Sequence, residues 1–313
     1  MSFNASKRDG SRMAIIGAGS VGSAIAFACL MRSVVSELLI NDFNEKVCQG
    51  QVLDLQDAAF VSSTKVRVGT PKECGQADII VITAGARQRP GETRDELVQR
   101  NEDILRNVLD GLQPIKSTAI LMLVANPVNI LTCMAQKFSG LPPSQVIGTG
   151  TYLDSVRFRV AMREHLQVSG ASVHAYVVGD HGDKQVAVWS SATVGGKPLL
   201  SYEEIKSIDC DEEAKKVARK AYSIIDLKGA TSFGIAAVVS DLALCITLNK
   251  LSVIPISTYC ERFDACLSFP VSLGTNGVER IVYPEMNEKE IAMVEASAKA
   301  TREQCAKYND HRK

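Results

Sequence analysis

The sequence predicts an α/β protein: a doubly wound parallel sheet followed by a second, α+β catalytic domain. Three observations carry this. Short apolar runs alternate with longer amphipathic ones through the first half. A glycine-rich turn, "GAGSVG" at residues 17–22, joins the first apolar run to a helical stretch. Near residue 150 the alternation gives way to mixed strands and long helices, with no Pro/Ser-rich linker between. The chain therefore divides at residues 1–149 and 150–313.

Taken in order, "MAIIGAG", "ELLIND", "KVRVG", "DIIVITAG", "AILMLVAN" and "QVIGTG" read as six strands. Most are continuously apolar, as expected where helices cover both faces of a parallel sheet. "SVGSAIAFACLM" and "TRDELVQRNEDILRNVLDGL" read as helices between them. The second domain opens with the helix "YLDSVRFRVAMREHL", then the strands "SVHAYVV" and "QVAVWSSATVGG". Two helices follow, the charged "DCDEEAKKVARKAYSIIDL" and the apolar "TSFGIAAVVSDLALCITLN". A last helix begins at Asn287, with Glu290 three residues on at capping-box spacing.

Composition narrows the function classes. Lys+Arg and Asp+Glu are equal at 35 each, so no global field favours nucleic acid or an anionic membrane. The nine cysteines contain no C-x-x-C pair. Cys29, Cys133 and Cys245 sit inside apolar runs and read as small hydrophobes, a usage that suits a reducing compartment. "MSFNASKRDGSR" has no apolar core for a signal peptide. Asp241 interrupts the longest apolar helix before it reaches the roughly 18 residues of a membrane span. A cytoplasmic location is expected.

"GAGSVG" satisfies G-x-G-x-x-G, a weak signal alone. Here it follows a strand and opens a helix, and Asp42 stands 20 residues beyond Gly22 at the end of a second strand. That context is the Rossmann-type dinucleotide fingerprint. Gly17 permits the tight turn, Gly19 lets the backbone approach a pyrophosphate, and Gly22 allows close helix–strand packing. Asp42 suits ribose hydroxyls and repels a 2′-phosphate, which favours NAD over NADP. Ser20 and Val21 at the helix start complete this turn, and Thr83, Gly85 and Asn126, at the ends of later strands, join it as the expected cofactor site.

For chemistry, His181 lies in "VVGDHGD" at a strand exit, one of four histidines in the chain. A metal site, a pH-sensitive turn and a catalytic acid/base all fit that placement. Asp154 and Arg157, at i and i+3, share a helix face, where a surface ion pair is the plain alternative. The segment from 83 to 101 runs from a strand end through a Gly/Pro loop into a helix, at the ligand end of the sheet, and reads as a lid. Arg94 stands where that loop becomes helix. Asn126, before a proline, could simply close a turn.

With these residues in place, the chain resembles the L-lactate/malate dehydrogenase family from residue 13 to about residue 310. The shared stretches are "IIGAGSVGSAIA", "ARQRPGETRDELVQRN", "ANPVNILT", "GTGTYLDSVRFR", "VVGDHGD" and "KGATSFGIA". The resemblance implies that His181 is the acid/base, Asp154 its partner, Arg157 the anchor of the substrate carboxylate and Arg94 the lid residue. Asn126 would lie near nicotinamide and substrate, and Thr231 would line the substrate pocket. A histidine has the intrinsic pKa for this proton transfer, and the arginine fork matches a carboxylate. No metal is implied.

Within that family the position six before the lid arginine reads the substrate side chain. Here it is Gln88, whose neutrality favours L-lactate over malate. Arg89 is next, and a one-residue change of loop register would present its charge to a second carboxylate instead. Arg159 and His174 match the pair that holds fructose 1,6-bisphosphate between subunits in allosteric members, so a homo-oligomer, a tetramer or a dimer, is expected. A non-catalytic dinucleotide-binding protein would be the contrary reading; it is disfavoured by the presence of His181, Asp154, Arg157 and Arg94 together.

Overall fold

The computed structural model describes residues 10–86, 91 and 93–308. Its first half places six strands in the order β3-β2-β1-β4-β5-β6, all parallel. These are β1 (Arg12–Ile16), β2 (Glu37–Asn41), β3 (Lys65–Val68), β4 (Ile79–Ile82), β5 (Ile120–Leu123) and β6 (Val146–Gly148). The order reverses between β1 and β4, where a doubly wound sheet opens its ligand crevice.

Alternation of side chains explains why these strands are apolar throughout. Met13 and Ile15 of β1 enter one core and Ala14 and Ile16 the other, because successive residues face opposite sides. The first core is roofed by α1 (Ser20–Met31), α2 (Glu45–Ala58) and the apolar α9 (Phe233–Thr247). The second lies under α3 (Pro71–Gly75), α4 (Arg94–Leu112) and α5 (Val128–Phe138). Both faces are thus covered.

Beyond β6 come α6 (Tyr152–Leu166), β7 (Val173–Gly179), β8 (Gln185–Val194), the short β9 (Lys197–Pro198) and α7 (Glu203–Lys206). Then follow α8 (Cys210–Lys228), α9, β10 (Ser252–Cys260), β11 (Ala265–Gly274), β12 (Gly277–Ile281) and α10 (Glu288–Lys307). The antiparallel β10–β11 hairpin had no counterpart among the sequence-predicted strands. It bridges the two halves: Ser257 of β10 pairs with Gly148 of β6, and Ser268 of β11 pairs with Gly179 of β7. A Cβ at Gly148 would fall 2.4 Å from Thr132 Oγ1, so only glycine admits this contact. The helices α1, α4, α6 and α10 match their predicted spans, and Asn287 and Glu290 form the expected capping box. Among the described residues, no helix is long and apolar enough to cross a membrane.

Candidate active site

The glycine turn fits a dinucleotide. Gly17 has φ +110°, and a Cβ there would stand 2.5 Å from Thr83 Oγ1. A Cβ on Gly22 would meet the Gly17 carbonyl oxygen at 1.8 Å, so Gly22 packs the start of α1 onto the end of β1. Gly19 is the N-cap of α1, its Cβ direction opens on empty space, and no side chain caps that helix end. A helix N-terminus with open space before it is a phosphate cradle. Ser20 and Val21 form its first turn. Thr83 Oγ1 holds the turn by donating to the Ile16 and Gly17 carbonyls.

Asp42 adds something the motif did not foretell. Its Oδ2 accepts from Ala18 N at 2.6 Å and its Oδ1 from Asn44 N at 2.8 Å. Before any ribose arrives, Asp42 already ties β2 to the glycine turn; a carboxylate offers about four acceptor positions, so ribose contacts are compatible with this.

At the opposite wall, α6 supplies Asp154 and Arg157, and the turn after β7 supplies His181. Ser155 registers α6 on β7, accepting from Val177 N at 2.8 Å. Asp154, 1% exposed, then bridges two cations: His181 Nδ1 at 2.7 Å through Oδ2 and Arg157 at 3.0 Å through Oδ1. The pair is therefore no surface ion pair. Burial pushes the Asp154 carboxyl upward, but the facing His181 and Arg157 charges outweigh it and hold it below the usual value. Burial likewise works against the imidazolium of His181, yet Asp154, helped by Asp180, raises its pKa above the ordinary 6.5. The imidazole turn is clamped from below, Asp180 N donating to Ser297 Oγ of α10 at 2.8 Å. No group of three or more His, Cys, Asp or Glu among the described residues could hold a metal ion.

Asn126 is exposed at the end of β5, in the turn whose Asn126–Pro127 bond is cis. Asn101, which sequence reasoning passed over, supports it: the Asn101 amide donates to the Asn126 carbonyl at 2.8 Å and accepts from Ala86 N at 2.6 Å. Gly85 lies beside it, where a Cβ would come 2.8 Å from Ala125 Cβ. Asn101 is buried (2% exposed) within α4, and nothing in its sequence position set it apart from the other polar residues of that helix. Arg94 is the first residue of α4, behind the N-cap Thr93. Gln88 and Arg89 lie outside the described residues. Thr231 is half-buried in the loop before α9, and Gly234 sets that helix against Leu153, next to Asp154. Arg159 turns away from the His181 centre: its Nε donates to the Ala175 carbonyl at 2.9 Å and its guanidinium lies 5.2 Å from the Tyr176 ring centre. His174 is exposed on β7.

Residues 11–148 match the lactate/malate dehydrogenase NAD-binding domain, and residues 151–311 match the α/β C-terminal domain of the same family. L-lactate dehydrogenase A of Rhizopus oryzae is 47% identical over 290 residues, covering 93% of this chain and 91% of the relative. The L-lactate dehydrogenase of Gloeobacter violaceus is 40% identical over 300 residues, covering 93% and 91%. The ligands-bound crystal structure of minor L-lactate dehydrogenase from Enterococcus mundtii superposes with a TM-score of 0.91 at 35% identity, covering 96% of this chain and 99% of that one. The fold and its relatives define an NAD-dependent 2-hydroxyacid oxidoreductase. The chain belongs to the lactate/malate dehydrogenase family.

Proposed function

We propose that the protein is an L-lactate dehydrogenase, reducing pyruvate reversibly to L-lactate with His181 as acid/base. The observation that carries this reading is the His181–Asp154–Arg157 unit, a half-buried imidazole held by the buried Asp154 and Arg157, at the rim of a dinucleotide fold. NADH, when bound at the glycine turn, supplies the hydride. His181 holds a proton for the substrate carbonyl oxygen on the ring nitrogen that Asp154 does not engage. Asp154 favours that protonated form and orients the ring. Arg157 engages Asp154 with one end of a guanidinium carrying five N–H donors, and its role is to grip the substrate carboxylate with others. Arg94, arriving with the lid, stabilises charge on the carbonyl oxygen and closes out water. Asn126 and Thr231 border the substrate, and Thr83, Gly85 and Asp42 border the cofactor.

The choice of pyruvate over oxaloacetate rests on Gln88 and on relatives that are named L-lactate dehydrogenases. The division into a cofactor domain (1–149) and a catalytic domain (150–313), a homo-oligomer and a cytoplasmic location belong to the same proposal. Exposed apolar side chains support association: Phe60 is 88% and Leu53 54% exposed around α2, with Phe27 of α1 at 49%. Steady-state NADH oxidation with pyruvate against oxaloacetate tests the substrate. Replacing Gln88 by Arg should move the ratio of specificity constants toward oxaloacetate by at least about tenfold, the worth of one charge-assisted pair. Should Arg89→Gln instead be the change that removes oxaloacetate activity, the enzyme is a malate dehydrogenase.

A further inference from the structure

Two glycines loosen the turn that presents His181. Gly179 and Gly182 bracket Asp180 and His181 with φ of +86° and +121°, a region that side-chain-bearing residues rarely enter. The ladders of β7 end at Gly179, which pairs with Gln185 of β8 and Ser268 of β11, so His181 lies just beyond the sheet. Rotation of the Gly179–Asp180 peptide plane, which a glycine on its amino side permits, would swing the imidazole away from Asp154.

Two buried side chains, from two different helices, take the two ends of that one peptide group. Asn129 Nδ2, in the first turn of α5, donates to the Gly179 carbonyl at 3.2 Å. Asp180 N donates to Ser297 Oγ of α10 at 2.8 Å. In a trans peptide the C=O and N–H point in opposite directions, so the two bonds pin a single rigid plane from opposite sides. Asn129 and Ser297 are each 1% exposed. The other end of the Asn129 amide, Oδ1, is buried without a hydrogen-bond partner. Burying an amide with one end unmet weakens a fold, so stability alone gives no reason for an asparagine here.

We propose that Asn129, together with Ser297, is a positioning residue: the pair locks the Gly179–Asp180 peptide and thereby holds His181 on Asp154. The inference rests on His181 being the acid/base of the proposed reaction. Asn129 acts through the backbone of the turn and not on the reacting atoms. The charged groups that face His181 are Asp154 and Arg157 of α6 and Asp180 of its own turn. Burial works against the imidazolium, and Asp154, then Asp180, raise its pKa in spite of burial and of Arg157. A ring that drifts from its 2.7 Å contact with Asp154 loses both proton affinity and aim. Asn129 also stands three residues beyond Asn126, so one short segment borders the substrate and carries the support of the proton donor.

The test compares Asn129→Ala and Ser297→Ala with the wild type by single-turnover NADH oxidation from about pH 5 to 9, with NADH titration and thermal unfolding alongside. The substrate is pyruvate, or oxaloacetate if that proves the better one. Each variant should lose about three- to tenfold in reduction rate, the effect of one hydrogen bond, while NADH affinity stays nearly intact. The falling limb of the pH profile should move to lower pH in both, because His181 is held less firmly to Asp154. If Asn129→Ala does not fold, Ser297→Ala gives the same readings from the other end of the peptide. An unmoved limb, at whatever melting temperature, or NADH affinity lost along with the rate, makes these residues structural and overturns the proposal. His181→Ala, run in parallel, separates this inference from the reading beneath it. Turnover that survives His181→Ala overturns both, whereas turnover abolished there and unchanged in the two clamp variants overturns the positioning alone.

Discussion

Replacing Asp154 by Asn removes one charge from the centre of the site and leaves the shape nearly unchanged. In the wild type the Asp154 carboxylate lies 2.7 Å from His181 Nδ1 and 3.0 Å from Arg157, at 1% exposure. A hydrogen bond to a charged group contributes about 1.5–3 kcal/mol. If that interaction is made mainly with the imidazolium, its loss corresponds to roughly 10- to 150-fold in the rate of pyruvate reduction. The pH profile carries the more specific signal. Because Asp154 raises the His181 pKa above 6.5, the wild-type reduction rate should hold below that raised value and fall as pH climbs through it. In the Asn variant the falling limb should move to lower pH. The pair's contribution to stability has the same sign for His181, being present at low pH and lost as pH rises through the raised value. For Asp154, whose pKa is lowered, it is lost as pH falls. The assay is single-turnover NADH oxidation from about pH 5 to 9, with NADH titration and thermal unfolding as controls, since a buried Arg157 without its partner destabilises the fold. A uniform loss of rate with an unmoved limb would refute the assignment of Asp154 as the residue that tunes His181.

Three further outcomes follow from the same geometry. His181→Ala should abolish turnover and leave NADH binding nearly intact, because the imidazole and the glycine turn lie on different walls; cofactor affinity lost along with activity would make His181 structural. Gly22→Ala should disrupt the cofactor turn, its Cβ meeting a carbonyl oxygen at 1.8 Å, whereas Gly19→Ala should fold normally and weaken NADH alone, since its Cβ occupies the open space before α1; calorimetric titration and melting temperature separate the two. Fructose 1,6-bisphosphate should alter activity or sedimentation through Arg159 and His174 if these form an inter-subunit anion site, and no change in either would leave Arg159 as a strut between α6 and the Ala175 carbonyl.

Much of this molecule was legible in its linear order. The strands of the parallel sheet announced themselves because both of their faces are buried, which leaves continuous apolar runs such as Ile79–Ile82. The start of α4 after Thr93 and of α10 after Asn287 follow from local capping chemistry. The glycine turn was legible for the same reason: its demands are met within six residues of backbone. Local interactions leave local patterns.

The tertiary structure decided what depends on residues distant in the chain. The partnership of Asp154 with His181 spans 27 positions and was available only through family resemblance. The β10–β11 hairpin went unread, although its pairing with β6 and β7 is what sets the two halves edge to edge. Asn101 looked like one more polar position of an amphipathic helix until its amide was seen to join Ala86 to Asn126. A sequence records which side chains prefer burial or a cap, whereas the identity of a buried group's neighbours is set by how helices and sheets stack, and that is where the chemistry is assembled.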